Sequence, residues 1–132
     1  MKNLANCTPR EFLKQTNRIR KKVAEWLDLT KILDIRKNVP KLSGTETDEE
    51  KDKVIKAQIR TNMDAMLNAA LEQYPDQTAE LLGLLCFVEP EDLDNHRMTE
   101  FIGAVSELLN CQEVLGFLSS LAKLGQTDIF AT

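Results

Sequence analysis

Two helix-start signals of the same form constrain what this chain can become. Thr8-Pro9-Arg10-Glu11 puts Thr at an N-cap, Pro at the first helical position and Glu at the third. Thr47-Asp48-Glu49-Glu50 is a second capping box, and its acidic first turn suits the positive end of a helix dipole. Behind the first, Phe12, Thr16, Ile19, Val23, Trp26 and Leu27 fall within one stripe at about 100° per residue. Behind the second, Ile55, Ile59, Met63, Met66, Leu67, Ala70 and Tyr74 line one face as far as about Gln73, where Pro75 stops the helix. At about 1.5 Å per residue that second helix is on the order of 40 Å long.

The remaining segments read the same way. Thr30 is expected to cap a short helix over Lys31 to Lys37, which Pro40 ends. Residues 40–46 form the expected loop. A helix from about Asp76 carries Leu81, Leu82, Leu84, Leu85 and Cys86 on more than one face and is expected to be the most buried. Pro90-Glu91-Asp92-Leu93 reads as a short acidic turn. The next helix, about Arg97 to Leu109, is expected to face Met98, Phe101, Ile102, Val105 and Leu108 inward. Asn110 is expected to cap the last one, with Val114, Leu115, Phe117, Leu118, Leu121 and Leu124 as its stripe and Gly125 as its C-cap. No segment alternates over several positions as a strand does. The expectation is all-α: a single-domain bundle of five to six helices with one long central helix, the usual size for one domain at 132 residues.

Charge divides the chain differently. Residues 1–41 hold 11 Lys/Arg against 4 Asp/Glu; residues 42–132 hold 6 against 17. The organisation expected is a basic N-terminal helical arm (1–41), an acidic helical body (42–125) and a loosely held tail (126–132). In the arm, Arg10, Lys14, Arg18 and Lys21 fall opposite the apolar stripe of the first helix, so that helix has one face for a core and one basic face for water, the acidic body or a partner. These four are the candidate partner-binding residues.

The chemistry-bearing residues are few. Cys7, Cys86 and Cys111 are odd in number and widely spaced, which fits free thiols in a reducing cytoplasm; Cys86 and Cys111 sit among apolar residues and are expected in the core. There is one histidine, His96, in an acidic loop; it is expected to be solvated. A cysteine hydrolase would need it beside a thiol. No Cys-x-x-Cys pair, calcium-loop spacing or glycine-rich phosphate loop is present, so no catalytic residue, metal or cofactor is assigned, and the chain is expected to be no enzyme. The start of the chain lacks a signal-peptide core, and the longest apolar stretch, Leu81 to Val88, is far too short to span a membrane.

A basic face invites nucleic acid as a partner, but the chain as a whole is acidic (net charge −4) and no aromatic residue interleaves with the basic positions. A protein partner is the stronger expectation, either a helical client or a second copy. Three stretches carry a resemblance: Asn3-Leu4-Ala5-Asn6-Cys7 with Glu11-Phe12-Leu13-Lys14-Gln15-Thr16, then Leu85-Cys86-Phe87-Val88-Glu89-Pro90-Glu91, then Ser120-Leu121-Ala122-Lys123-Leu124-Gly125-Gln126. Together they resemble a family of small all-helical proteins from phages and prophages of Gram-positive anaerobic bacteria, regarded as tail assembly chaperones. The resemblance implies a non-enzymatic protein of the bacterial host cytoplasm. It would bind the tape-measure protein, keep it soluble and give way to tail-tube subunits. The alternative is a nucleic-acid-binding phage or regulatory protein that uses the basic face of the first helix.

Overall fold

The computed structural model describes residues 1–126, and every regular element among them is helical: α1 (Pro9–Thr30), α2 (Ile32–Arg36), α3 (Asp48–Asn68), a π-helical turn (Ala69–Gln73), α4 (Pro75–Leu85), a 3-10 turn (Pro90–Asn95), α5 (Met98–Leu109) and α6 (Gln112–Gln126). The all-α class is the one expected from the spacing of apolar residues. The chain forms two compact units. One joins Met1–Arg20 to the chain from Glu80 onward; the other is Lys21–Ala79. The basic stretch 1–41 is therefore shared between them, as are α1 and α4.

The first capping box forms in full at the expected residues, and the second forms its N-cap half. Thr8 Oγ1 accepts the Glu11 N–H at 3.3 Å while Glu11 Oε1 accepts the Thr8 N–H at 3.0 Å, the reciprocal arrangement. Thr47 Oγ1 accepts the Glu50 N–H at 3.2 Å. Other boundaries differ from expectation. Thr30 does not cap α2: it is the last residue of α1, buried, with its hydroxyl donated back to the Trp26 carbonyl at 2.8 Å. The break falls instead at Lys31, whose φ of 56° lies in the left-handed region. Asn110 closes α5 rather than opening α6. Gly125 lies inside α6, which runs on to Gln126, so its expected role as C-cap is not met. Of the tail, only Gln126 is among the described residues.

The first unit builds its core where α4 meets α5. Cys86, Val88, Phe101 and Ala104 are buried together, with Leu82, Leu85, Leu93 and Val105 packed against them. α4 ends in a Schellman motif: the Val88 N–H reaches the Gly83 carbonyl at 2.9 Å and Phe87 takes the left-handed position at φ 56°. Gly83 is required there. A Cβ on it would stand 2.7 Å from Leu93 Cδ2 and 2.8 Å from the Val88 carbonyl oxygen. The N-terminal segment seals the unit through Asn3, which has no exposed surface; its side-chain oxygen takes the Ala5 N–H at 2.7 Å and its amide reaches Glu107 at 3.2 Å.

The second unit holds α2, α3 and the π turn. Asn62, buried on α3, donates to the Asn38 carbonyl at 2.9 Å and accepts from Gln58 at 2.8 Å, tying α3 to the segment after α2. The π turn shifts the hydrogen bonding by one: the Tyr74 N–H bonds Ala69 rather than Ala70. Thr78 Oγ1 takes over the Ala70 carbonyl at 2.7 Å, also lies 3.0 Å from the Tyr74 carbonyl, and accepts the Trp26 indole N–H at 2.8 Å.

Three expected stripes are only partly interior. Met66 and Tyr74 are half-buried and Ala70 is buried, but Ile55, Ile59, Met63 and Leu67 of α3 face outward. On α5, Phe101 and Leu108 are buried and Val105 half-buried, while Met98 and Ile102 are 60% and 55% exposed. On α6, Phe117 and Leu121 are exposed. Cys86 is buried as expected, whereas Cys111 is half-exposed beside Glu113. Helical periodicity reports an apolar face; it does not say what covers it.

Gly83→Ala is expected to destabilise the protein by about 1–3 kcal/mol, the usual range for overpacking, despite the better helix propensity of Ala. Urea unfolding followed by circular dichroism measures this, and a stabilised variant would contradict the close approach at Gly83.

Candidate partner-binding surface

The four basic residues singled out on α1 do not share one environment. Arg18 is committed inside its own unit. Its guanidinium grips Glu89 with two parallel bonds of 2.9 and 2.8 Å, and also donates to Gln15 Oε1 at 3.3 Å. Gln15 is 4% exposed and donates its amide to the Leu84 carbonyl at 2.6 Å. A helix C-terminus leaves carbonyls without partners, and Gln15 satisfies one of them. The hydrogen bond from Arg18 holds the Glu89 carboxyl below its ordinary value of 4.5, and the same bond raises the guanidinium. Both side chains are about half exposed, so the pair is worth little in stability; its geometry orients Gln15.

Arg10 and Lys14 lie in the same unit and are exposed, and neither has an ion-pair or hydrogen-bond partner among the described residues. Lys21 is likewise exposed and without a partner among the described residues, but belongs to the other unit. The structure thus separates the quartet into one internal clasp and three solvent-facing cations.

Beside Arg10 and Lys14 runs a feature that the charge pattern did not show. Pro9, Phe12 and Leu13 of α1 and Glu113, Val114 and Phe117 of α6 line an apolar groove of about 330 Å³. Phe12 and Phe117 both line it and meet edge to face at 5.5 Å. Leu13 is 62% exposed and Phe117 43%, and Leu121 carries the apolar surface one turn further along α6. On α1, Leu13 points roughly 60° from Arg10 and 100° from Lys14 by helical geometry. The cations therefore form one rim and Glu113 lies at the other side. Sequence spacing places Phe12 and Phe117 on apolar stripes, and only the meeting of α1 with α6 reveals the groove between them.

A second cavity, about 590 Å³, is lined by Lys2, Cys86, Phe87, His96, Glu100 and Glu107 among others. His96 Nδ1 lies 2.7 Å from Glu100 Oε2, and this bond lowers the Glu100 carboxyl. His96 is exposed, as expected, but it is engaged with Glu100 and packs edge-on to Phe101. Burial pushes the Cys86 thiol up, which disfavours the thiolate that a nucleophile needs. Among the described residues no group of three His, Cys, Asp or Glu side chains is placed to hold a metal ion, and no single helix is long and apolar enough to cross a membrane.

No family model matches the chain, and no curated protein or solved structure matches it either.

Replacing Gln15 by Leu is expected to cost about 1–3 kcal/mol, because the buried Leu84 carbonyl loses its 2.6 Å bond and keeps only the 3.5 Å contact from the Phe87 N–H. Chemical denaturation measures it; a loss under about 0.5 kcal/mol, the range for surface changes, would show that the contact is idle. Glu89 gives a pH test. Its carboxyl is depressed in the fold, so its contribution is present above the ordinary value of 4.5 and is lost as pH falls through the lowered one. Wild type is expected to lose more stability than Arg18→Gln below pH 4.5. Parallel acid limbs for the two proteins would contradict the clasp.

Proposed function

We propose that the protein is a non-enzymatic, protein-binding chaperone that takes an amphipathic helical segment of its client into the α1–α6 groove. The observation that carries this reading is an apolar groove that leaves Leu13 and Phe117 exposed, with Arg10 and Lys14 flanking Leu13 on α1 and without a partner among the described residues. An apolar slot with one cationic rim fits a helix whose apolar stripe is bordered by acidic residues: apolar burial supplies affinity and the cations supply steering and register. The resemblance of the N-terminal and C-terminal stretches to phage tail assembly chaperones supports a client of this kind, a long helical tape-measure protein in the cytoplasm of a bacterial host. Such a client exposes apolar stripes that aggregate unless covered. Tail-tube subunits would then replace the chaperone as the tail grows.

Leu13→Asp tests the slot and Arg10→Glu with Lys14→Glu tests the rim. The three positions are exposed, so the fold is expected to persist. Losing a buried Leu contact is worth about 1.5–3 kcal/mol, or roughly ten- to a hundredfold in capture of a co-expressed tape-measure protein. The double reversal is expected to weaken capture and reduce its dependence on salt. Undiminished capture by both variants would overturn the reading. A low-salt gel shift with duplex DNA that disappears in the double reversal would favour nucleic acid instead.

A further inference from the structure

The second unit carries an apolar ridge that none of its own described residues covers. Ile55, Ile59, Met63 and Leu67 follow one another every four residues along α3, and they are 43%, 56%, 53% and 51% exposed. Single exposed apolar residues are ordinary on a protein surface; four in a continuous row mark a contact surface. One flank of this ridge turns toward the unit's interior through Gln58 and the buried Asn62, whose polar groups bond to one another and to Asn38. The other flank is free. It is a second row at the same spacing: Asp52, Lys56, Arg60 and Asp64, all exposed, in the charge order minus, plus, plus, minus. Lys56 and Asp52 pair along the helix at 2.9 Å, and neither Arg60 nor Asp64 has a partner among the described residues.

We infer that this ridge is the contact of a symmetric dimer, in which α3 of a second copy lies antiparallel across it. Two features select this occupant. First, a two-fold contact sets residue i against j and j against i, so a pair centred between Ile59 and Met63 places each of these against the other residue of the second copy. Rows spaced by four on both helices interdigitate at a crossing of about −50°. Second, antiparallel packing brings like flanks of the two helices together. In the same register, Asp64 falls between Lys56 and Arg60 of the partner subunit, within about 3 Å of axial offset from each. The ion pairs occur twice by symmetry. A parallel pair would set the charged row against the uncharged flank with Gln58 and Asn62, gaining none of them. The apolar ridge supplies affinity, and the charge order fixes direction and register.

Sedimentation equilibrium of the full chain tests this, with circular dichroism as the control for folding. The wild-type chain is expected to be a concentration-dependent dimer. Ile59→Asp and Met63→Asp are each expected to weaken it at least about a hundredfold, because one substitution acts twice in a two-fold contact. Asp64→Lys alone, or Lys56→Glu with Arg60→Glu, is expected to weaken it by about tenfold. All three charge changes combined are expected to restore it, since the pairing is reversed as a whole. A wild-type chain that stays monomeric to millimolar concentration, a dimer indifferent to the α3 changes, or charge reversals that do not rescue one another would each overturn the proposal. A ridge that instead retains another protein while the chain is monomeric would likewise overturn the second copy as occupant. The inference does not depend on the client groove: a monomeric Ile59→Asp chain that still captures client would leave the groove reading intact.

Discussion

A single buried amide anchors the architecture of the first unit. Gln15 reaches from α1 to the last turn of α4 and gives its N–H to the Leu84 carbonyl, at the point where the helix turns through Phe87 into the core strand of contacts around Val88. Everything downstream is placed by that ending. Val88 closes the Schellman motif, Glu89 meets Arg18, Pro90 begins the 3-10 turn, and Leu93 from that turn packs over Gly83. An apolar side chain at residue 15 could fill the space, but it would leave the carbonyl only the 3.5 Å contact from the Phe87 N–H where water is excluded.

The charge asymmetry of the sequence takes on another meaning in this setting. Read along the chain it is a basic arm and an acidic body. Counted over the compact units it nearly vanishes: residues 1–20 and 80–132 hold 7 Lys/Arg against 10 Asp/Glu, and residues 21–79 hold 10 against 11. Folding brings the basic start of α1 into the same unit as the acidic residues that follow Glu80, and Arg18 on Glu89 is where they touch. What remains is local. Arg10 and Lys14 flank Leu13, which lines an apolar groove, and Lys56, Arg60 and Asp64 border an apolar ridge.

How much of this was legible in the sequence follows from the range of each interaction. Both capping boxes involve residues three apart, so Thr8 with Glu11 and Thr47 with Glu50 could be read directly. The all-α class followed from the same short-range spacing. The buried polar residues could not be read: Asn3, Gln15 and Asn62 have partners distant in sequence, and hydrophobic periodicity passes over them. The stripes on α3 and α5 misled for a different reason. An apolar row left exposed has the same spacing as one that meets the chain's own core. Ile59 and Met63 therefore could not be told from Phe101 and Leu108 without the fold.

The junction after α3 has an optical consequence. The π turn frees the Ala70 carbonyl, Thr78 takes it up, and the same hydroxyl receives the indole N–H of Trp26. Trp26 is the only tryptophan in the chain. Its fluorescence therefore originates from a single place, two hydrogen bonds away from the π turn through the Thr78 hydroxyl, and its emission follows the hydration and integrity of that junction without any label being introduced.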